Sequence, residues 1–202
     1  MKLYLASGNA HKAGEFQELA AASALPMEIV SACAIGGMPA VIEDAGTFTG
    51  NALLKARALH ARLPAGSWAL ADDSGLCVDA LDGAPGVESA YFAGPEGDGA
   101  ANLRKLVAEL RDVPAGRRGA HFVCVLMVID PTGNAREFTG RVHGRLRNEP
   151  RGGAGFGYDP LFVPAGHELT FAEMPEAEKN QLSHRARAWS ALVDWLRRES
   201  LA

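Results

Sequence analysis

Ten consecutive residues, Ala120 to Ile129, contain one polar side chain, His121, in an otherwise unbroken apolar run. A run this short and this rich in valine reads as a central strand buried on both faces, which needs cover above and below. Asp130-Pro131-Thr132-Gly133-Asn134 then supplies a turn, and residues 136 to 146 alternate as the returning arm of a hairpin. At the other end of the chain, residues 2 to 6 read as a first strand. They lead through Ser7-Gly8-Asn9-Ala10-His11-Lys12 into a helix on which Phe16, Leu19 and Ala20 keep helical spacing. Such a strand, loop and helix aims the free N–H groups of the first helical turn at the loop, where the macrodipole favours a phosphate. Ser7 and Asn9 can donate to it and Lys12 can supply charge; equally, Asn9 suits a plain N-cap and Lys12 a solvated first-turn residue.

Leu70-Ala71-Asp72-Asp73-Ser74-Gly75 is the most informative polar stretch. The apolar run Trp68 to Ala71 reads as a buried strand that ends at two carboxylates, and in isolation Asp-Asp-Ser-Gly also suits a turn. On extended backbone the two acids face opposite ways, so they divide the work: one for a hard cation or an attacking water, the other for bracing. Residues 27 to 32 read as a further strand. Glu43 is a candidate second carboxylate for a metal. The helix through Asn51, Leu54 and Leu59, stopped by Pro64, carries Lys55 and Arg57 on different faces, so one of them reaches a ligand.

Leu81 to Gly94 reads as bent scaffold, Asn102 to Leu110 as an amphipathic helix. In Gly155-Phe156-Gly157-Tyr158-Asp159-Pro160 the glycines let a flat ligand approach an aromatic ring and an acid. A linker with Phe171 and Met174 then leads to a closing helix with Ser183 as N-cap and Leu182, Ala186, Trp189, Val193 and Leu196 as its apolar face. His184 and Arg185 fall in its first turn, where cations oppose the dipole and need another reason to be there. His121 and His143 read as structural.

The chain's 202 residues suit one domain, 1–202, with no internal repeat. A net charge of −4 without a basic stripe or polybasic run argues against nucleic acid and membrane partners. Cys33, Cys77 and Cys124 are odd in number and widely spaced, which predicts reduced core thiols. The apolar start is too short for a signal peptide, so a cytoplasmic location is expected.

Five separated blocks carry a family resemblance: Ser7-Gly8-Asn9-Ala10-His11-Lys12, Asn51-Ala52-Leu53-Leu54-Lys55-Ala56, Ala71-Asp72-Asp73-Ser74-Gly75-Leu76, Gly155-Phe156-Gly157-Tyr158-Asp159-Pro160 and Ser183-His184-Arg185. In this order they make the chain, from Ser7 to Trp189, resemble the inosine triphosphate pyrophosphatase-like family. The resemblance implies an α/β fold with an elongated mixed β-sheet, flanking helices and two lobes with a central active-site cleft, usually as a homodimer. It implies Mg2+-dependent hydrolysis of ITP, dITP or XTP to the monophosphate and pyrophosphate. Asp73 matches the family's catalytic acid, and Glu43 with Asp73 would hold the metal. Substrate contacts are implied at Ser7, Gly8, Asn9, Ala10, His11, Lys12, Lys55, Ser74, Phe156, Gly157, Tyr158, Asp159, Lys179, His184 and Arg185. His184 and Arg185 suit the 6-oxo group that inosine and xanthosine present, and Phe156 suits stacking on the base. One position departs: the family ordinarily has a glutamate before Asn51-Ala52, and here Gly50 stands in its place. If that acid helps to hold the metal, Glu43 or Asp44 must cover for it. The alternatives are a purine-nucleotide sensor without turnover and a hydrolase of other modified triphosphates.

Overall fold

The structure is a computed structural model and describes residues 1–23 and 25–199. The element order is β1 (Lys2–Leu5), α1 (Ala10–Ala22), β2 (Glu28–Ser31), α2 (Phe48–His60), β3 (Trp68–Val78), α3 (Gly99–Glu109), β4 (Gly119–Ile129), β5 (Ala135–Leu146), β6 (Phe162–Pro164), α4 (Glu176–Leu182) and α5 (His184–Glu199). Six strands form one sheet in the order β2-β1-β3-β4-β5-β6. β1 pairs in parallel with both β2 and β3, whereas β5 and β6 are antiparallel, so the sheet is mixed and the class α/β, as expected. In β4 every residue from Phe122 to Ile129 is buried, as a central strand with cover on both faces must be.

Two compact units divide the chain: residues 1–73, 124–140 and 185–202 form the first, residues 74–123 and 141–184 the second. The core of the first is built by Leu3 and Leu5 of β1, Phe16 of α1, Leu70 of β3, Leu126 of β4 and Trp189 of α5, with the Phe16 and Trp189 rings 5.8 Å apart. That of the second gathers Leu76, Leu106, Phe122, Phe162, Phe171 and Met174, with Phe122 edge-on to Phe162 at 4.8 Å.

Four local expectations need correction. β3 does not stop at the carboxylates; it continues through Asp72, Asp73 and Ser74 to Val78, because both acids find cations and so need no turn to reach water. Phe171 and Met174 lie in the second core rather than on a linker. Residues 176–182 form a separate helix, α4, so Leu182 ends that helix instead of opening the apolar face of α5, and Ser183 bridges the two in extended conformation. Of the three cysteines, Cys124 is buried and Cys77 half-buried, but Cys33 is exposed, lying in a short 3-10 turn after β2. No helix among the described residues is long and apolar enough to cross a membrane.

Leu126, at the centre of β4, has no exposed surface. Leu126→Ala is expected to cost about 2–5 kcal/mol through lost burial and the cavity left behind, read from the urea midpoint at unchanged slope.

Candidate active site

β3 sets the geometry of the first unit's polar cluster. Successive residues of a strand face opposite ways, and here the two neighbours take different partners. Asp73 Oδ1 accepts from Lys55 Nζ at 2.8 Å, and the same ammonium lies 2.7 Å from Glu43 Oε2. Lys55 reaches them because it lies on the buried face of α2, with Asn51, Ala52 and Ala56, whereas Arg57 does not. Asp73 Oδ2 is buried and has no hydrogen-bond partner among the described residues. Burial pushes the Asp73 carboxyl above its ordinary range, against the pull of Lys55 and Lys12 and with help from Glu43. Burial would discharge the Lys55 ammonium, but Asp73 and Asp72 outweigh it and hold its pKa up.

Asp72, wholly buried, turns to other cations. Its Oδ2 lies 2.8 Å from Lys12 Nζ and 3.7 Å from an Arg185 terminal nitrogen, and the other terminal nitrogen of Arg185 bonds Glu15 of α1. Burial alone would raise the Asp72 carboxyl; Lys12, Arg185 and Lys55 overcome it and hold the group well below the usual carboxylate range. Lys12 is therefore neither a solvated residue nor an uncommitted phosphate donor. Arg185, expected against a purine, instead has a buried guanidinium shared by Glu15 and Asp72. Glu15 escaped the sequence reading, although a signal exists: it sits three residues after Lys12 and four before Leu19, on the inward face of α1. Asn9 is the N-cap of α1, its Oδ1 accepting from the backbone of His11 at 2.9 Å and Lys12 at 3.2 Å, while Ser7 Oγ accepts from Asn9 N–H. Gly8, Asn9, Ala10 and His11 are exposed around that cap, and Ser7 is half-buried.

Within the second unit, Lys179 Nζ lies 2.9 Å from Asp159 Oδ2 and 5.2 Å from the centre of the Phe156 ring, and the Phe156 N–H donates to the same carboxylate oxygen. The loop is shaped around that acid: Gly155, at φ +73°, brings its backbone to where a side chain would meet the Asp159 carboxylate. Gly157 also has positive φ, at +62°, and Phe156 keeps part of its ring exposed. Tyr158 is turned inward, its hydroxyl donating to the Ser89 carbonyl at 2.9 Å, which leaves backbone as its route to a ligand. The buried His184 ring stacks on Phe122 at 4.8 Å and 12°, and Ser74 of β3 is half-buried.

Two groups of opposite job are thus present: a cluster of carboxylates and ammonium groups able to manage phosphates, and an aromatic, acid and lysine group able to hold a base. Comparison with known proteins agrees with that class. The chain belongs to the Ham1 family, whose profile matches residues 3–195. It is 63% identical to a protein of Opitutus terrae named dITP/XTP pyrophosphatase, over 98% of this chain and all of that one. A protein of Leifsonia xyli with the same name is 47% identical over 98% of this chain and 96% of its own. Among solved structures, the Staphylococcus aureus Ham1 protein superposes with a TM-score of 0.85 at 33% identity, covering 98% of this chain and 100% of that one. A Mycobacterium abscessus nucleoside-triphosphatase, dITP/XTP pyrophosphatase, does so at 0.75 and 42% identity, over 95% and 98%.

Because Asp72 has a lowered carboxyl in the fold, the stability it contributes is complete above its ordinary value of 3.8 and is lost as pH falls below it, where the unfolded chain takes up the proton first. Urea unfolding is expected to show wild-type stability falling from pH 4 downward; Asp72→Asn is expected to be less stable at pH 6 and to lose less on acidification. Removing one partner of this buried network, as in Glu15→Leu, is expected to cost about 3–5 kcal/mol.

Proposed function

We propose that this chain hydrolyses the α–β phosphoanhydride of deaminated purine nucleoside triphosphates, dITP, ITP and XTP, giving the monophosphate and pyrophosphate with Mg2+ as cofactor. The observation that carries the reading is Asp73: a buried carboxylate with one oxygen on Lys55, the other unbonded, and a raised affinity for a proton. That combination suits a general base, whose pKa is best shifted toward the working pH. Water attacks the α-phosphorus, its proton passes to Asp73, the bond from that phosphorus to the bridging oxygen breaks, and pyrophosphate leaves. Positioning and charge neutralisation do most of the work in such a transfer, and Lys12, Lys55 and the capped loop Ser7 to His11 supply both.

The donor set fits magnesium. Glu43 and Asp73 share a single ammonium, which leaves one negative charge over, and both offer hard oxygens. Among the described residues no group of three or more His, Cys, Asp or Glu is placed to hold a metal, so an all-protein cage is not on offer. Magnesium is ordinarily held by one or two carboxylates together with substrate phosphates and water. Bound there, it would neutralise phosphate charge. Lys55 bridges the two acids, its ammonium 2.7 Å from Glu43 and 2.8 Å from Asp73.

Base recognition is assigned to Phe156 by stacking, to Asp159 with Lys179 and the backbone of Gly157 and Tyr158 by polar contact, and to His184 by donation to the 6-oxo group. Adenine carries an amine there and would leave the donor unpaired. Arg185 is assigned to bracing: tied to Glu15 and Asp72, it fixes the start of α5, the residue after His184. We also infer that the protein works as a homodimer in the cytoplasm, which gel filtration and fractionation test.

Incubation with dITP, XTP, dATP and dGTP and Mg2+ is expected to release pyrophosphate from the first two in preference to the others; stabilisation by nucleotide without release would make the chain a sensor. Asp73→Asn is expected to lower kcat by about 10²- to 10⁴-fold with nucleotide binding retained. In the wild type the acid limb of kcat/KM is expected above the ordinary carboxylate value of 3.8, since the base must be deprotonated and its pKa is raised. His184→Ala is expected to narrow the preference for dITP over dATP by about tenfold.

A further inference from the structure

Gly50, immediately before the second of the five blocks, is where the chain departs from the family pattern, and the structure gives it a definite setting. It is the third residue of α2, after the N-cap Thr47, whose Oγ1 accepts from the Gly50 N–H at 3.1 Å. A threonine N-cap followed three residues later by glutamate is a capping box, in which the acid reaches back to the N-cap backbone. Behind the Thr47 N-cap a glutamate at position 50 would complete such a box, a role at the helix end that does not require a metal. In this chain the space is taken. A Cβ at residue 50 would overlap the Cβ of Ala45 and come within 3.0 Å of Thr47 Oγ1. Ala45 is held down in turn, its N–H donating to the Oδ1 of the buried Asn51 at 3.1 Å. Two residues before Ala45 stands Glu43, bonded to Lys55.

We propose that Gly50 is a positioning residue: its bare backbone seats the 45–47 turn directly on the first turn of α2, and that seat delivers Glu43 to Lys55 and the Asp73 carboxylate. The departure from the family is then a substitution of one device for another. A capping glutamate is exchanged for close packing, and Glu43 serves the metal without help from position 50. Restoring the family residue would push the turn off its seat. The proposal rests on the reading of Glu43 and Asp73 as the magnesium pair.

Four full-length proteins test it: wild type, Gly50→Ala, Gly50→Glu and the double variant Ala45→Gly/Gly50→Ala, in which the colliding methyl is removed. Binding of Mn2+ is measured by EPR without nucleotide, and turnover of dITP against Mg2+ concentration separately. Gly50→Ala is expected to weaken Mn2+ binding and raise the half-saturating Mg2+ by about tenfold, in the range that loss of a metal ligand's supporting contacts produces, with KM for dITP little changed. Its Tm is expected not to rise, although alanine for glycine ordinarily stabilises a helix. Gly50→Glu is expected to be at least as impaired despite its added carboxylate, and the double variant to recover most of the loss. Metal binding unaltered in Gly50→Ala, tighter in Gly50→Glu, or not recovered in the double variant would overturn the proposal. Should wild type bind Mn2+ and respond to these changes yet release no pyrophosphate, the seat stands and the proposed activity falls. If wild type turns over dITP and Gly50→Ala equals it throughout, the seat alone falls.

Discussion

Two adjacent carboxylates buried in the middle of a strand are an electrostatic problem before they are a site. Asp72 and Asp73 would each cost several kcal/mol to desolvate unpaired, and in β3 water cannot be recruited to both. The period of an extended backbone separates them onto opposite faces, and the chain answers each with its own cations. Asp72 faces Lys12 and Arg185, with Lys55 nearby, so it stays charged. Asp73 is given a single lysine shared with Glu43, so it keeps an unused oxygen and a raised proton affinity. The difference between the two carboxylates lies in how many cations each face receives.

Much of this was legible in the sequence because it depends on period and order. The apolar run 120–129 fixed a central strand, the hairpin followed from its turn residues, and adjacency alone was enough to give Asp72 and Asp73 different partners. What escaped notice depends on partners far apart in the chain. The end of β3 was misplaced because a carboxylate reads as a strand breaker until its counterions are known, and those come from α1, α2 and α5. Glu15 looked like any helix acid because its partner lies 170 positions away. Arg185 looked like a ligand contact for the same reason. α4 was hidden within a polar stretch whose seven residues carry little apolar period, and Cys33 was taken for core because its neighbours are apolar although its turn is exposed.

The second unit works by a different rule. The loop around Asp159 pairs its one acid with Lys179 and has a shape to hold. Asp159 collects the Phe156 N–H and Lys179 of α4, Gly155 yields it the room, and the Lys179 ammonium lies over the Phe156 ring. Tyr158 anchors the loop inward through Ser89. A flat group is best met by a surface already flat and already ordered, since ordering side chains on binding costs affinity.

The bond between Arg185 and Glu15 joins the opening of the last helix to the first. Arg185 lies 170 positions beyond Glu15, so until it is made Asp72 has only lysines, Lys12 and Lys55, to answer it. The first unit's polar cluster is therefore complete only once α5 is in place beside α1 and β3.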